Sequence, residues 1–444
     1  MFFPLAVFSN SKHLSLLKRL LFVFGVVVFK LLLDYYYHVY GPLFSYLGMA
    51  YLPQSEMVYL GSFVLLIFTA FFLPLDYSKP SNIFLSLLYI MSFVPICSVY
   101  SLDHMASTFG LLAYGLFIFG LSLILRVDFP VLSVKSKTLK PSSFNTVFVA
   151  ILGFSMVILV LKYGFSLNLS NYTEIYDVRE MFKEETGGSR FYTFVFNWLS
   201  HVFSILLLLI SLIKRNVLLF FVSIFIQLYL FNLGGNKAIF LLPFFAIFLF
   251  VAIAVFKEFA AVFVLYALVF LVGALYFYDF VINESFSTAS SILVRRNFFV
   301  PANLYFDYIH YFSYNPKDFM AGSFPFSMFA ETYYTTPVPL TIGTEYVSRF
   351  GKTYANGNFL SDLFFNFGWL GYLLGFFLFS FILKIMDSVS KGKNIFIVVP
   401  LFSIPVISLM NSALMVNLIS YGLILTILLF LVYPKVRFYK ILEK

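Results

Sequence analysis

The sequence has a single cysteine, Cys97, among 444 residues, so an intrachain disulfide is excluded and stability must come from packing. Charge is scarce too. Only 11% of residues are Asp, Glu, Lys or Arg, against about 25% in soluble domains. That shortage excludes a soluble enzyme carrying a membrane anchor, because no long segment is free of apolar runs. There is no His-Glu-x-x-His, no Cys or His cluster at zinc spacing, and no paired aspartates of a nucleotide-sugar site. Gly351-Lys352-Thr353 looks like the tail of a phosphate loop, but Tyr346 stands where its first glycine belongs. No internal repeat is evident.

Apolar runs fill most of the chain, 61% of which is hydrophobic. A spanning helix needs about 20 mostly apolar residues. The runs 16–39, 57–75, 82–100, 106–125, 144–162, 193–213, 217–233, 238–256, 259–280, 359–385, 395–413 and 415–433 meet that requirement. They predict an all-α polytopic membrane protein with about 12 transmembrane helices, forming one integral membrane domain over 1–444. The first run is too long for a cleavable signal peptide and reads as a retained signal anchor.

Orientation follows from lysine and arginine in the short loops. One set of alternate loops, from Lys12, Lys18 and Arg19 to Lys435, Arg437, Lys440 and Lys444, holds 18 of the 29 basic residues and only five acids. Those loops are expected in the cytoplasm, with both termini. The pI near 9.2 is thus a topology signal and does not imply a nucleic-acid partner. Two polar stretches then face outward: a loop at 164–192, and a large loop at 281–358 between the ninth and tenth helices. Cytoplasmic loops are too short for a nucleotide domain, so any substrate must arrive already activated and already in the membrane.

Outward cations are not needed for orientation, which invites a functional reading. Arg179, Arg190, Lys237, Arg295, Arg296, Arg349 and Lys352 are all of this kind. Arginine's planar fork matches phosphate oxygens bidentately, and lysine serves as a point charge. Gly234-Gly235-Asn236-Lys237 opens a helix, whose free N–H groups and dipole would add to Lys237. The plain alternative is that these are solvated loop charges paired with nearby acids.

In Asn303–Tyr314, a helix would place Asp307, His310, Tyr311 and Tyr314 on one face. Histidine is the natural general base near neutral pH, and a carboxylate one turn away would orient it. Asp177, Asp307 and Glu331 are the carboxylates that could replace it. Flat aromatic rings suit sugar faces, so Tyr311 and Tyr314, with Glu331, are expected to contact a glycan. The plain alternative is an interfacial aromatic belt with an incidental histidine. Lys30 and Asp34, four residues apart in the first run, read as a mutually neutralising pair.

Several short motifs resemble the bacterial oligosaccharide repeat-unit polymerases, the Wzy-type O-antigen polymerases. They are Tyr176-Asp177-Val178-Arg179, Gly234-Gly235-Asn236-Lys237-Ala238, and Arg295-Arg296 with Pro301. To these are added Ala355-Asn356-Gly357-Asn358-Phe359-Leu360-Ser361-Asp362 and Phe365-Asn366-Phe367-Gly368-Trp369-Leu370-Gly371. The likeness spans about 170 to 375. It implies a GT-C-like glycosyltransferase of the inner membrane that needs no metal or cofactor. Its substrates would be oligosaccharides linked to undecaprenyl pyrophosphate, and the growing glycan would move onto a new lipid-linked repeat unit at the periplasmic face. A flippase and a chain-length regulator would act in the same pathway. The family's outward arginines map onto Arg179, Arg190, Arg295 and Arg296. The chain departs from the pattern in lacking arginine–glycine pairs at the family's fixed spacings, and in carrying Lys237 where relatives carry arginine. A lipid-linked oligosaccharide flippase and an O-antigen ligase are the alternatives.

Overall fold

In lipid, every backbone N–H and C=O must be satisfied within the segment, so long apolar runs become helices. A computed structural model shows that outcome; it describes residues 11–49, 51–103, 106–127, 137–165, 175–347 and 354–435. Among them the regular elements are all helical, and the only bridge between extended residues is an isolated one joining Leu52 and Asp103. The elements are α1 (Ser11–Tyr40), α2 (Glu56–Phe72), α3 (Pro80–Leu102), α4 (Thr108–Arg126), α5 (Pro141–Tyr163) and α6 (Ile175–Thr186). Then come α7 (Arg190–Lys214), α8 (Val217–Gly234), α9 (Lys237–Val251), α10 (Ala260–Phe277) and α11 (Val300–Tyr314). The last four are α12 (Phe359–Phe367), α13 (Trp369–Ser390), α14 (Ile395–Leu409) and α15 (Leu423–Val432). Among the described residues, seven helical stretches are long and apolar enough to cross a membrane. One of these, Lys237–Ile282, reverses near Lys257, where φ is 44°, and stacks Phe256 on Phe263 at 3.8 Å. The protein is an all-α, membrane-embedded chain.

Starts and stops are written locally. Proline occupies the first turn of α3 and α5, where a missing N–H costs nothing. Asn216, Asn236, Asn358 and Asn394 cap their helices by accepting a backbone N–H through the side chain.

The loops segregate to two ends. At one end Lys18 pairs with Glu258 at 3.1 Å, Arg19 reaches the Phe71 carbonyl, and Arg126 donates to the Phe72 carbonyl at 2.7 Å. Lys384 meets the Val127 carbonyl there, and the Leu139 N–H donates to Val432 at 2.9 Å. This basic end gathers loops predicted to share a side. At the opposite end Gln54 donates to the Tyr100 carbonyl at 2.7 Å, Tyr229 to Gly164 at 2.9 Å, and Trp198 to Ile419 at 2.8 Å. Between the ends, Lys30 and Asp34 form a buried pair at 2.6 Å, closed by Ser101 and Tyr59 hydroxyls. The neutralising role expected for that pair suffices to explain it.

Two segments depart from a simple picture of spans and loops. The described part of the stretch 281–358 does not stand off the bundle as one polar loop. Wide helical turns over Ser291–Phe299 run directly into α11, which packs against α12 and the last turns of α3. Phe298 packs on Phe29 and Phe299 on Tyr37; farther along, the Tyr305 hydroxyl donates to the Gly110 carbonyl, and Phe312 meets Phe365. The predicted run 359–385 is also not one continuous helix. Gly368, at φ 59° and ψ −142°, breaks it, and α12 doubles back along α13. Phe359 lies 4.8 Å from Phe379, centroid to centroid, although 20 residues separate them. A Cβ on Gly371 would sit 2.2 Å from the Leu363 carbonyl oxygen, so only glycine permits this approach. At 1.5 Å per residue, pairing Phe359 with Phe379 sets the start of α12 roughly 15 Å below the top of α13. Asn356-Gly357-Asn358 therefore dips into the bundle, and Asn358, Ser361 and Asn366 are fully buried.

Candidate functional site

The dip of 354–358 creates a cavity. At the end opposite the basic loops, about 530 Å³ is enclosed by α12, by the loop 318–339 and by the segment 413–420 before α15. Its walls are mixed. Asn356, Thr332, Thr336 and Ser420 are polar, Tyr308 and Tyr334 aromatic, and Met415, Val416 and Ile419 apolar. Such a surface suits an amphipathic ligand.

Two carboxylates line the cavity, and they differ. Asp318 is the more engaged: it accepts from the Thr332 hydroxyl at 2.5 Å, the Tyr333 N–H at 3.2 Å and the Gly322 N–H at 2.7 Å. It staples the loop into shape. Asp362 accepts one bond per oxygen, from the Asn366 amide at 3.2 Å and the Leu414 N–H at 2.9 Å. A carboxylate oxygen has two lone pairs, so Asp362 is held in place with capacity left to accept a further hydrogen bond. Among the described residues no group of three His, Cys, Asp or Glu side chains is arranged to hold a metal ion.

Residues predicted as functional are distributed differently. α11 is helical, and it presents Asp307, His310, Tyr311 and Tyr314 away from its buried face of Leu304, Tyr305, Tyr308 and Phe312. His310 is exposed, and its Nδ1 shares a hydrogen bond with the Tyr346 hydroxyl at 2.8 Å. Tyr346 thus orients the ring, where Asp307 had been expected to. Asp307 is half-buried instead, near Asp103 and Tyr37. Burial first, and then the Asp103 charge, push its carboxyl up to about 8, so it is mostly protonated at neutral pH. Tyr308 enters the cavity while His310, two residues on, points elsewhere, because two residues advance a helix by about 200°. Tyr311 packs edge-on against Tyr346, and Tyr314 is 84% exposed.

The cations fall in separate places. Arg190 opens α7 and lies over the Phe324 ring at 4.8 Å, with the Ser327 hydroxyl at 3.4 Å; Phe324 and Ser323 line the cavity, so Arg190 sits at its rim. Glu331 is exposed beside Thr332 at the same rim. Arg295 folds back onto Ser291 at 2.8 Å and over Phe44 at 4.5 Å, against the end of α1, with Arg296 exposed next to it. Lys237 opens α9 with its ammonium nitrogen buried. Asn236 already accepts the Ala238 N–H at 3.1 Å, which uses one of the free donors at that helix start. Asp177 and Arg179 fall on α6, but their side chains lie outside the described residues, as do Arg349 and Lys352. None of the predicted residues with a described side chain lines the cavity; Arg190 and Glu331 come nearest.

Asp362, Tyr308, Asn356 and Tyr334 are the residues that sequence reasoning did not assign a role. Asn356 and Asp362 belong to quoted motifs, so a signal existed. No family model, no curated protein and no solved structure matches the chain.

Proposed function

We propose that the chain is a membrane glycosyltransferase of the O-antigen polymerase kind, with about twelve spans, both termini in the cytoplasm and its cavity at the outer face of the bacterial inner membrane. The observation that carries this reading is the cavity itself: polar and aromatic walls, an anchored carboxylate with free lone pairs, and an arginine at the rim, at the end opposite the basic loops. The acceptor hydroxyl of a new repeat unit attacks the anomeric carbon of the growing glycan. The bond from that carbon to the pyrophosphate oxygen breaks, and its electron pair leaves with undecaprenyl pyrophosphate. Asp362 takes the hydroxyl proton, and Arg190 stabilises the departing charge. The glycosyl–pyrophosphate bond supplies the driving force, which fits a chain with no nucleotide-binding motif.

A deletion strain tests this reading. The expected result is surface glycan reduced to one repeat unit on lipid A-core, seen as a single band. Loss of all capping would make the protein a ligase, and accumulation of repeat units facing the cytoplasm would make it a flippase.

A further inference from the structure

The basic end contains a cavity of its own. About 680 Å³ opens where four turns converge: the entry to α3, the end of α7, the end of α9 and the connection from α13 to α14. Lys79, Arg215, Lys391 and Lys393 line it, and the Lys435 side chain lies against Gly392 from outside, 3.7 Å from where a Cβ would be. The one acid in the lining is Asp387. It accepts from the Ser81 N–H at 3.1 Å and the Ser81 hydroxyl at 2.6 Å, so it is committed to the start of α3. The rest of the wall joins polar Ser78, Ser390 and Asn394 to an apolar side of Leu212, Ile213, Phe250, Ala254, Phe396 and Val398.

Membrane orientation requires cations near short loops, but it does not require them to surround one hollow. Gathering them costs energy. Like charges at low dielectric repel, and burial first, with Lys435 second, pushes the Lys393 ammonium down to about 8. Arg215 adds a further cost: it takes the left-handed backbone at φ 51° that Gly235 takes at the end of α8. An anion in the hollow would offset the repulsion. Its size excludes nothing as small as a phosphate ester, and the apolar wall favours one that carries a hydrocarbon chain.

We propose that this cavity holds the phosphate headgroup of an anionic membrane lipid, with the first acyl carbons along Ile213 and Phe250. The site is independent of the polymerase reading, since it lies at the other end of the bundle. Lysine and arginine pockets between membrane helices suit such headgroups, and each cation near the surface contributes severalfold to affinity.

The test uses the full-length protein in phosphatidylcholine nanodiscs with stepped amounts of phosphatidylglycerol, read by native mass spectrometry and by thermal melting. Wild type is expected to retain phosphatidylglycerol and to melt higher as its fraction rises. Lys391→Ala with Lys393→Ala should weaken retention about tenfold or more, and Lys393→Arg should keep it. Lys384→Ala, which removes a cation of the same end outside the cavity, should change retention less than twofold. Equal loss from Lys384→Ala would show general surface attraction and overturn the proposal. So would a melting shift with inorganic phosphate as large as that with the lipid, which would mean a free-phosphate site. Full retention by the double variant, eluting as a folded particle, would overturn it as well.

Discussion

The two ends of this bundle both carry cations, yet they use them differently. At the basic end, described lysines and arginines complete helix ends, as Arg126 does at the Phe72 carbonyl and Arg19 at Phe71, or ring a hollow of mixed lining. At the opposite end, among the described residues, the settings vary: Arg190 on Phe324, Arg295 on Phe44, Lys237 at the start of α9, and Lys317 at the Phe312 carbonyl. There the hollow is lined by amides, hydroxyls, aromatic rings and two carboxylates. Charge density therefore does not mark the candidate chemistry; the polar groups drawn into the bundle by α12 do.

Substitutions can break that contrast. The largest effect is expected from Asp362→Asn, which keeps the size and removes the base: transfer should fall by about 10²–10⁴-fold with the protein still inserted. The glycan ladder and a single-turnover transfer assay measure this, and a wild-type ladder would remove Asp362 from the chemistry. Arg190→Ala should slow transfer about tenfold or more through loss of a charged contact to the leaving group; an unchanged rate would detach the rim from the reaction. Asp307 offers a pH test. Its folded carboxyl titrates near 8, above the ordinary range near 4, so its contribution to stability is complete below pH 4 and is lost as pH rises through 8. The melting temperature should fall between pH 6 and 9, and Asp307→Asn should flatten that slope by roughly 2 °C. His310→Ala, on an exposed ring facing away from the cavity, should lower transfer less than about threefold, whereas a positioned base would give at least about a hundredfold. The smallest effect belongs to Lys18→Ala at the basic end: its pair with half-exposed Glu258 contributes about 0.5 kcal/mol or less, and transfer should not change.

The helices were legible because lipid leaves a long apolar run no alternative, and Pro80, Pro141 and the capping asparagines punctuate them. Two features were not. Hydropathy is continuous from Phe359 to Ile385, so nothing local distinguishes a straight helix from a hairpin except Gly368 and Gly371, and glycine is common in membrane helices. Polarity likewise drew attention to the side of α11 that does not line the cavity. Asp307 and His310 stand out in sequence because they are charged or titratable, while Tyr308 and Tyr305, two among 31 tyrosines, carry the buried contacts. Asp362 was hidden by its apolar neighbours. Its place in the cavity comes from residues distant in sequence, Leu414 in the segment before α15 and Asp318 across the cavity, and no single-chain periodicity encodes that meeting.

Gly371 and Gly375 stand four residues apart on an apolar helix, the spacing by which membrane helices commonly dimerise. Here Leu363 of the same chain fills the groove over both, its carbonyl against one glycine and its side chain against the other. The motif that often recruits a second copy is instead satisfied internally, by the hairpin that shapes the cavity. A reader scanning for oligomerisation signals would stop at these glycines, but on this molecule their surface is already occupied.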